Sequence, residues 1–260
     1  MILTADYHTH TIYSHGKGTV SDNAKQAKNV GLTELGITDH GFSHPAFGLK
    51  KRNVDKLSND CFLASKEYGV KVLRGIESNI ISDKGLCDLP TKLYDDFDIF
   101  LAGIHKFVVY RGGNFFNLFL PNFTTDLFNV KPAKWVVKET TKAYINTIKN
   151  SPIDVLTHLN FCCFSDAKEV AKACADYGVY LELNAKKTHL SDKDIDDVLS
   201  TDVKFIISSD AHTPSRVGEV SLVQKLILDK SFPLDRIQNI DGKTPSFRFK
   251  AFKKGVTSNY

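Results

Sequence analysis

The stretch IFLAGIH, residues 99–105, is a short apolar run that ends in a histidine. Such a run is too short for a typical helix, and its Ile- and Leu-rich composition is typical of a strand buried on both faces. Six further runs have the same form, at 4–7, 34–38, 71–76, 153–157, 179–183 and 204–208. Helical patterns lie between them. The alternation predicts a parallel α/β fold, and seven strands favour a closed or nearly closed barrel over an open sheet.

The ends of the predicted helices carry capping residues. Ser21 or Asp22 is expected to cap the first helix, with Gly31 just past its end. Ser191 is expected to cap a short helix over 192–199. The remaining helices are predicted over 52–68, 132–149, 166–177 and 216–229.

Length and composition limit the class of protein. The chain has 260 residues, 42% hydrophobic and 25% charged, which is ordinary for a globular protein with a full core. No apolar run is long enough to span a bilayer and no signal peptide is visible, so we expect one cytoplasmic domain over residues 1–260. The net charge of +4 is too modest for a dedicated nucleic-acid binder, but it is compatible with small anionic substrates.

One segment interrupts the alternation of runs and helices. Residues 107–135 contain two adjacent glycines and eight aromatic residues, namely Phe107, Tyr110, Phe115, Phe116, Phe119, Phe123, Phe128 and Trp135. A connection of this length is usually functional or mobile. A lid over the site, an oligomer contact and a loop that packs its own aromatic rings onto the barrel all remain open.

Nearly every predicted strand ends in a residue type that binds metals. These residues are His8, His10 and His15 after the first run, His40 after the second, Glu77 after the third, His105 after the fourth, His158 after the fifth, and Asp210 and His212 after the seventh. The carboxyl ends of barrel strands converge on one rim, where the active sites of this architecture lie. Without a cation, so many imidazoles would depress one another's pKa and bury unsatisfied polar groups. We therefore predict a metal site.

Nine ligands exceed the capacity of one ion, because zinc binds about four. Two to three divalent transition-metal ions fit, and imidazole-rich ligation favours zinc, with iron or manganese as alternatives. With only two carboxylates, such a cluster stays strongly positive and attracts a phosphate dianion. Bound metal also provides an activated hydroxide near neutral pH, and phosphoryl transfer needs mainly positioning and electrostatic stabilisation.

At these residues the sequence resembles the PHP (polymerase and histidinol phosphatase) superfamily, and most of all its stand-alone bacterial phosphatase branch with a trinuclear metal site. The matching elements are His8 and His10, His15, TDHG at 38–41, LRGIE at 73–77, AGIH at 102–105, His158, and SDAHT at 209–213. The resemblance extends over most of the chain. Any one of these motifs is weak, whereas the ordered set is specific.

The resemblance implies a distorted (β/α)7 TIM-like barrel and phosphomonoester hydrolysis by a metal-bound hydroxide. It divides the ligands among three ions: His8, His10, Glu77 and Asp210 for the first, Glu77, His105 and His158 for the second, and His15, His40 and His212 for the third. It places Asp39 behind a ligating imidazole as its orienting partner. We expect the catalytic roles to fall to Glu77, Asp210 and His212.

Substrate identity is less transferable than the chemistry. The branch commonly has Ser-His-Pro where this chain has THLN at 157–160, and the aromatic segment looks longer than the usual connection. Three residues beyond the last two strands are candidates for substrate contact, namely Arg216, Lys186 and His189. A guanidinium suits phosphate geometry, and Lys186 and His189 lie in the loop after the sixth run.

Three functions are compatible with the sequence. The first is a phosphatase that acts on a phosphorylated small molecule, which the single-domain length and mild charge favour. The second is a nuclease or nucleotide phosphohydrolase on the same metal site, with aromatic residues that stack bases. The third is a non-catalytic metal-bound binding module. We expect no membrane partner. Nucleic acid stays open as a substrate, and the sequence does not predict the oligomeric state.

Overall fold

The computed structural model describes residues 1–255, which contain seven parallel strands in sequential order around a nearly closed barrel. The strands are β1 (Ala5–Thr9), β2 (Glu34–Ile37), β3 (Lys71–Asn79), β4 (Ile99–Gly103), β5 (Val155–Leu156), β6 (Tyr180–Asn184) and β7 (Phe205–Ser208). Each strand overlaps one of the seven apolar runs, so the predicted α/β (β/α)7 barrel is confirmed. The strand of the fifth run is the shortest, at two residues.

Eight α-helices lie along residues 1–255. They are α1 (Val20–Asn29), α2 (Val54–Tyr68), α3 (Leu120–Leu127), α4 (Lys134–Asn150), α5 (Ala167–Tyr177), α6 (Asp192–Leu199), α7 (Ser221–Lys230) and α8 (Arg248–Lys253). None of the helices described is long and apolar enough to cross a membrane.

Several helix starts differ from the prediction, and that of α6 agrees with it. The helix predicted from residue 52 begins at Val54, and the one predicted from residue 132 begins at Lys134. Thr19 caps α1, and Asp22 completes a capping box from inside the helix, so neither Ser21 nor Asp22 is the cap itself. The seventh helix begins at Ser221 instead of 216, because a separate 3-10 turn and a glycine with positive φ, Gly218, precede it. Ser191 caps α6 as predicted.

A single side chain bridges the gap between the last strand and the first. The Asn239 amide donates to the carbonyl of Ala5 on β1 at 2.8 Å and to that of Ile207 on β7 at 2.7 Å, and it accepts from the Ile207 N–H at 3.0 Å. Closer to the rim, the His10 N–H donates to the Ala211 carbonyl. These bonds hold the two ends of the sheet together where the ladder itself does not close.

The interior of the barrel is apolar at one end and polar at the other. Eight buried residues from six strands pack together inside it, namely Ala5, Tyr7, Leu73, Ile99, Leu101, Val155, Tyr180 and Ile206. Side chains alternate along a strand, so Leu73 and Glu77 both lie on the inward face of β3. Ile206 on β7 and Asp210 just beyond it are also an even number of residues apart, which places them on one face. These eight apolar residues therefore fill the barrel on the amino-terminal side of Glu77 and Asp210, and the carboxylates lie at the carboxyl-terminal rim.

Candidate metal centre

The structure brings the predicted ligands together at the carboxyl ends of the strands. Three groups have ligand atoms that all lie within 4.8 Å of one another, namely His8, His10 and Asp210; His10, His40 and His212; and His40, Glu77 and His105. His15 joins them through its ring, whose centroid lies 4.9 Å from that of His40 and 4.2 Å from that of His212.

Glu77 lies at the centre of the cluster and is fully buried. Its Oε1 lies 3.3 Å from His8 Nε2, 3.0 Å from His105 Nε2 and 2.6 Å from His158 Nε2, and its Oε2 lies 3.6 Å from His10 Nε2 and 2.8 Å from His40 Nδ1. One carboxylate therefore approaches five imidazoles that arrive from β1, β2, β4 and β5. A carboxylate with two oxygens so placed can bridge neighbouring cations.

The spacing of the ligand atoms fits a transition metal. Ligands about 2.0–2.1 Å from a tetrahedral zinc lie roughly 3.3–3.4 Å from one another. His8 Nε2 and His10 Nε2 are 3.1 Å apart, and Asp210 Oδ1 lies 3.3 Å from His10 Nε2 and 3.9 Å from His8 Nε2. Three side chains from opposite ends of the chain thus sit at the separations that one ion imposes.

Five of the predicted ligands have a buried polar atom that lacks a hydrogen-bond partner among the described residues, namely His10, His40, Glu77, His105 and His158. His40 Nδ1 and Glu77 Oε2 lie 2.8 Å apart, yet neither makes a hydrogen bond of acceptable geometry with any described residue. Buried polar groups are almost always satisfied, and leaving one unsatisfied costs about 1–3 kcal/mol. A cation shared by the two atoms would satisfy both, so the residues fit a metal.

The protonation states also suit metal binding. Burial alone would raise the pKa of Glu77 and of Asp210, but the surrounding imidazoles hold both pKa values well below their usual range. Burial lowers the pKa of His10 well below its usual value, and burial with His212 and His40 nearby lowers the pKa of His15 to about 3. Ionised carboxylates and neutral imidazoles are the forms that bind metal.

His8 behaves differently from its neighbours. Burial acts to lower its pKa, but the carboxylates of Glu77, Glu182 and Asp210 outweigh burial and raise it well above the usual value. The imidazole thus carries the positive charge that these carboxylates require. A cation bound beside Glu77 and Asp210 would supply that charge instead and leave His8 neutral.

Glu182 on β6 is a site residue that the sequence reasoning missed. It is buried, its Oε1 lies 2.6 Å from His8 Nδ1, and its Oε2 accepts from the His158 backbone N–H at 2.7 Å and from the Asn184 amide at 3.0 Å. A carboxylate that fixes the far nitrogen of a histidine leaves Nε2 free for metal. The available signal was an ionisable residue between Leu181 and Leu183 in an apolar run.

Asp39 does not take the place expected for it. It is buried and accepts from the Thr11 N–H at 2.7 Å, the Thr11 hydroxyl at 2.6 Å and the Ser14 hydroxyl at 2.5 Å. None of these hydrogen bonds goes to a ligating imidazole, so no described contact supports the expectation that Asp39 orients one. These bonds instead fold the loop that carries His15.

The backbone is strained at two predicted ligands. His158 has φ 26° and Asp210 has φ 49°, both in the left-handed region that non-glycine residues seldom adopt. Strain of this kind collects at functional sites, where the surrounding bonds impose it. Gly103 makes room for one of them, because a Cβ at that position would lie 2.7 Å from His158 Cε1.

A cavity of about 410 Å³ opens above the cluster. Its walls contain Phe47, Phe107 and Phe161, the histidines His44 and His189, and the lysines Lys106, Lys186 and Lys187. The Lys186 ammonium lies 3.2 Å from His212 Nδ1 and 3.4 Å from Asp210 Oδ2. Two of the three predicted substrate residues, Lys186 and His189, therefore line the cavity.

Arg216 is placed differently from the other two substrate candidates. Its guanidinium pairs with Glu219 at 2.8 Å in the turn before α7, and it is not among the described residues that line the cavity. The 3-10 turn at Pro214–Arg216 carries its side chain toward that carboxylate.

Comparisons with known proteins agree with the geometry. A probable phosphatase of Thermoanaerobacter sp. (strain X514) is 29% identical over 251 residues, which cover 93% of this chain and 92% of the relative. A probable phosphatase of Clostridium acetobutylicum is 28% identical over an alignment of length 271, which covers 98% of this chain and 97% of the relative. The structure of histidinol phosphate phosphatase from Lactococcus lactis, complexed with zinc, L-histidinol and phosphate, superposes with a TM-score of 0.59 at 17% identity. That match covers 90% of this chain and 95% of the other, and it shows a shared fold.

The family itself is identified by a direct match of the sequence. The family model of the PHP domain matches residues 6–186, which include the motifs on the first five strands and well over half of the chain. The resemblance seen in the sequence is thereby confirmed, and the chain belongs to the PHP domain family.

Proposed function

We propose that this metal-dependent phosphoesterase hydrolyses phosphate monoesters of small molecules at the histidine-rich rim. The observation that carries the proposal is the buried Glu77, whose two oxygens approach five imidazoles at 2.6–3.6 Å. The relatives named above are probable phosphatases, and the Lactococcus lactis enzyme binds zinc and phosphate. Both facts support phosphate ester hydrolysis at a metal centre.

The ligand spacing supports two to three divalent transition-metal ions, with zinc preferred. We propose that His8, His10 and Asp210 hold one ion and that Glu77 and His105 hold a second, with His158 beside them. His212 would hold a third with His15. His40 lies within reach of both the second and the third position, since it belongs to two of the close groups. Bound ions of this kind lower the pKa of a bound water and neutralise charge on phosphate oxygens.

The protein's own side chains prepare the site for an anion. Lys186 stands at the cavity wall beside Asp210 and His212, so its ammonium can approach a phosphate oxygen without leaving the rim. Burial, with His158 and Lys187 nearby, lowers the pKa of His189 to about 4. Its imidazole is therefore neutral at physiological pH and can hydrogen-bond the organic part of a substrate. Glu77, Asp210 and His212 remain our candidates for the catalytic roles.

The size of the cavity favours a small molecule over a polymer. A volume of about 410 Å³ is typical of sites that enclose ligands of drug size. Of the eight aromatic residues at 107–135 that could stack bases, Phe107 lines the cavity and the other seven do not. No described contact therefore favours the nuclease alternative.

The test compares an aryl phosphate monoester with the corresponding bis-aryl diester on metal-loaded protein. We expect the monoester to be hydrolysed with the higher kcat/KM, and we expect Asp210→Ala to abolish turnover of both. Glu219→Gln, which removes the partly buried ion-pair partner of Arg216, is the matched control and should retain activity. A preference for the diester would move the proposal to a phosphodiesterase, and full activity in Asp210→Ala would refute the proposed site.

A further inference from the structure

An apolar face lies beside the cavity, formed by the segment from Phe115 to Trp135. Several large side chains of this segment are more than half exposed: Phe116 at 66%, Leu127 at 61%, Phe128 at 69%, Val130 at 55% and Trp135 at 52%. Large exposed apolar side chains concentrated in one segment in this way are a feature of interaction sites. We call it the aromatic face.

The aromatic face is held in a fixed conformation. A π-helical turn, Phe115–Phe119, leads directly into α3, and it carries Phe116. Leu120 and Leu127 are seven residues apart on α3, which places them on one side of that helix. The opposite side is anchored, because the buried Asn122 amide donates to the Leu118 carbonyl at 2.7 Å and to Thr140 Oγ1 on α4 at 2.8 Å. The exposed side chains are thus presented by an ordered element.

Basic residues outnumber acidic ones in and around the aromatic face. Residues 106–138 contain five basic residues, Lys106, Arg111, Lys131, Lys134 and Lys138, and one acidic residue, Asp126. Their net charge is +4, which equals the net charge of the whole chain, so the other residues together carry none. Lys106 pairs with Asp126 at 2.9 Å, which leaves the remaining four cations of the segment in excess.

We propose that the aromatic face docks onto the surface of a bilayer that contains anionic lipid. Aromatic and aliphatic side chains flanked by Lys and Arg are typical of elements that lie in the membrane interface, where each cation adds attraction to anionic headgroups. A second copy of the chain is a poorer occupant, because a symmetric contact would bring the cations in and beside the aromatic face of one copy against the same cations of the other. The expectation of no membrane partner rested on the lack of a spanning segment, which does not bear on surface docking.

Docking would place the active site near the lipid headgroups. Phe107 lines the cavity, and its ring also packs at 5.9 Å from Phe119 and 5.8 Å from Phe123, at the base of the aromatic face. The face is therefore continuous with the mouth of the cavity. The proposal stands apart from the proposed function, because vesicle binding does not require turnover.

The experiment is sedimentation of the full-length, metal-loaded protein with sucrose-loaded vesicles. One set contains phosphatidylcholine alone, and the other contains about a third phosphatidylglycerol. We expect binding to the anionic vesicles that weakens with added salt, and little binding to the neutral ones. Phe116→Ser/Leu127→Ser and Lys131→Glu/Lys134→Glu should each reduce the partition coefficient by about tenfold or more.

The matched controls lie on other helices. Leu228 on α7 is 79% exposed and Lys25 on α1 is exposed, so Leu228→Ser and Lys25→Glu should change binding by less than about twofold. Far-ultraviolet circular dichroism confirms that each variant is folded. Equal affinity for both vesicle types, or unchanged binding in Phe116→Ser/Leu127→Ser, would overturn the proposal. So would a dimer that forms without vesicles and dissociates in that variant, since the face would then belong to a second copy.

Discussion

The substitution Glu182→Gln tests whether the buried carboxylate on β6 sets the state of a metal ligand. Glu182 Oε1 lies 2.6 Å from His8 Nδ1 and accepts from its N–H, so that once a bound cation leaves His8 neutral, Nε2 keeps the lone pair. Oε2 accepts from the His158 N–H and from the Asn184 amide. Both oxygens are therefore used as acceptors, and an amide has only one.

Either orientation of the glutamine amide damages the site. If the NH2 group faces His8, it donates to Nδ1 and moves the imidazole proton to Nε2, which blocks the nitrogen aimed at Glu77 and Asp210. If the NH2 group faces the His158 N–H, two donors meet in a buried position. Loss of such an orienting partner costs about 10–100-fold in metal affinity or activity, which corresponds to about 1.4–2.8 kcal/mol.

The assay is a metal titration against a competing chelator, followed by kcat/KM at limiting and at saturating metal. We expect Glu182→Gln to weaken binding of one ion by about 10–100-fold, with activity recovered in part at high metal. Glu34→Gln is the matched control, because Glu34 also bonds a buried side chain, Tyr7, but lies at the start of β2 away from the rim. If both variants bind metal equally well, the reasoning about Glu182 is refuted.

Three further predictions follow from the same geometry. His8→Ala and Asp210→Ala should each lower turnover by orders of magnitude while the circular dichroism spectrum stays native, and near-wild-type activity in either would exclude it from the site. Gly103→Ala should displace His158, because the new Cβ would lie 2.7 Å from its ring. We expect the free energy of unfolding, measured by denaturant titration, to fall by about 1–3 kcal/mol and the metal content to fall with it. An unchanged unfolding midpoint would contradict this prediction. Burial raises the pKa of Asp154 to about 7, so the folded state binds the carboxyl proton more tightly than the unfolded chain does. The stability that the protonated Asp154 contributes should therefore decline as the pH rises from about 4 through 7. Asp154→Asn should remove that part of the pH dependence in the chelated protein, and identical profiles for the two proteins would contradict the assignment.

The sequence predicted the barrel because its strands are buried on both faces. Ile99–Gly103 is apolar throughout and follows Asp98, and the three apolar residues at 205–207 lie between Lys204 and Ser208, so both strands are visible in the sequence. The convergence of the nine ligand residues followed from strand direction alone, since parallel strands all end at one rim. The division of the ligands among ions did not follow, because it depends on distances such as the 2.8 Å between His40 and Glu77.

What the sequence could not show depends on side-chain partners. Glu182 looked like one residue of an apolar run, and only its contact with His8 reveals a role. Asp39 follows a strand like the ligands do, yet its hydrogen bonds go to the Thr11–Ser14 loop. Arg216 stands close to Asp210 and His212 in the chain but turns to Glu219. Sequence proximity to a strand end places a residue near the rim and does not fix where its side chain points.

The most direct test of the account is elemental analysis of the purified protein, paired with an aryl phosphate assay before and after chelation. We expect about two to three transition-metal ions per chain and hydrolysis that is lost on chelation and restored by zinc, manganese or iron. A protein without bound metal that stays inactive after each of these ions is added back would contradict the central claim that the histidine rim is a hydrolytic metal centre.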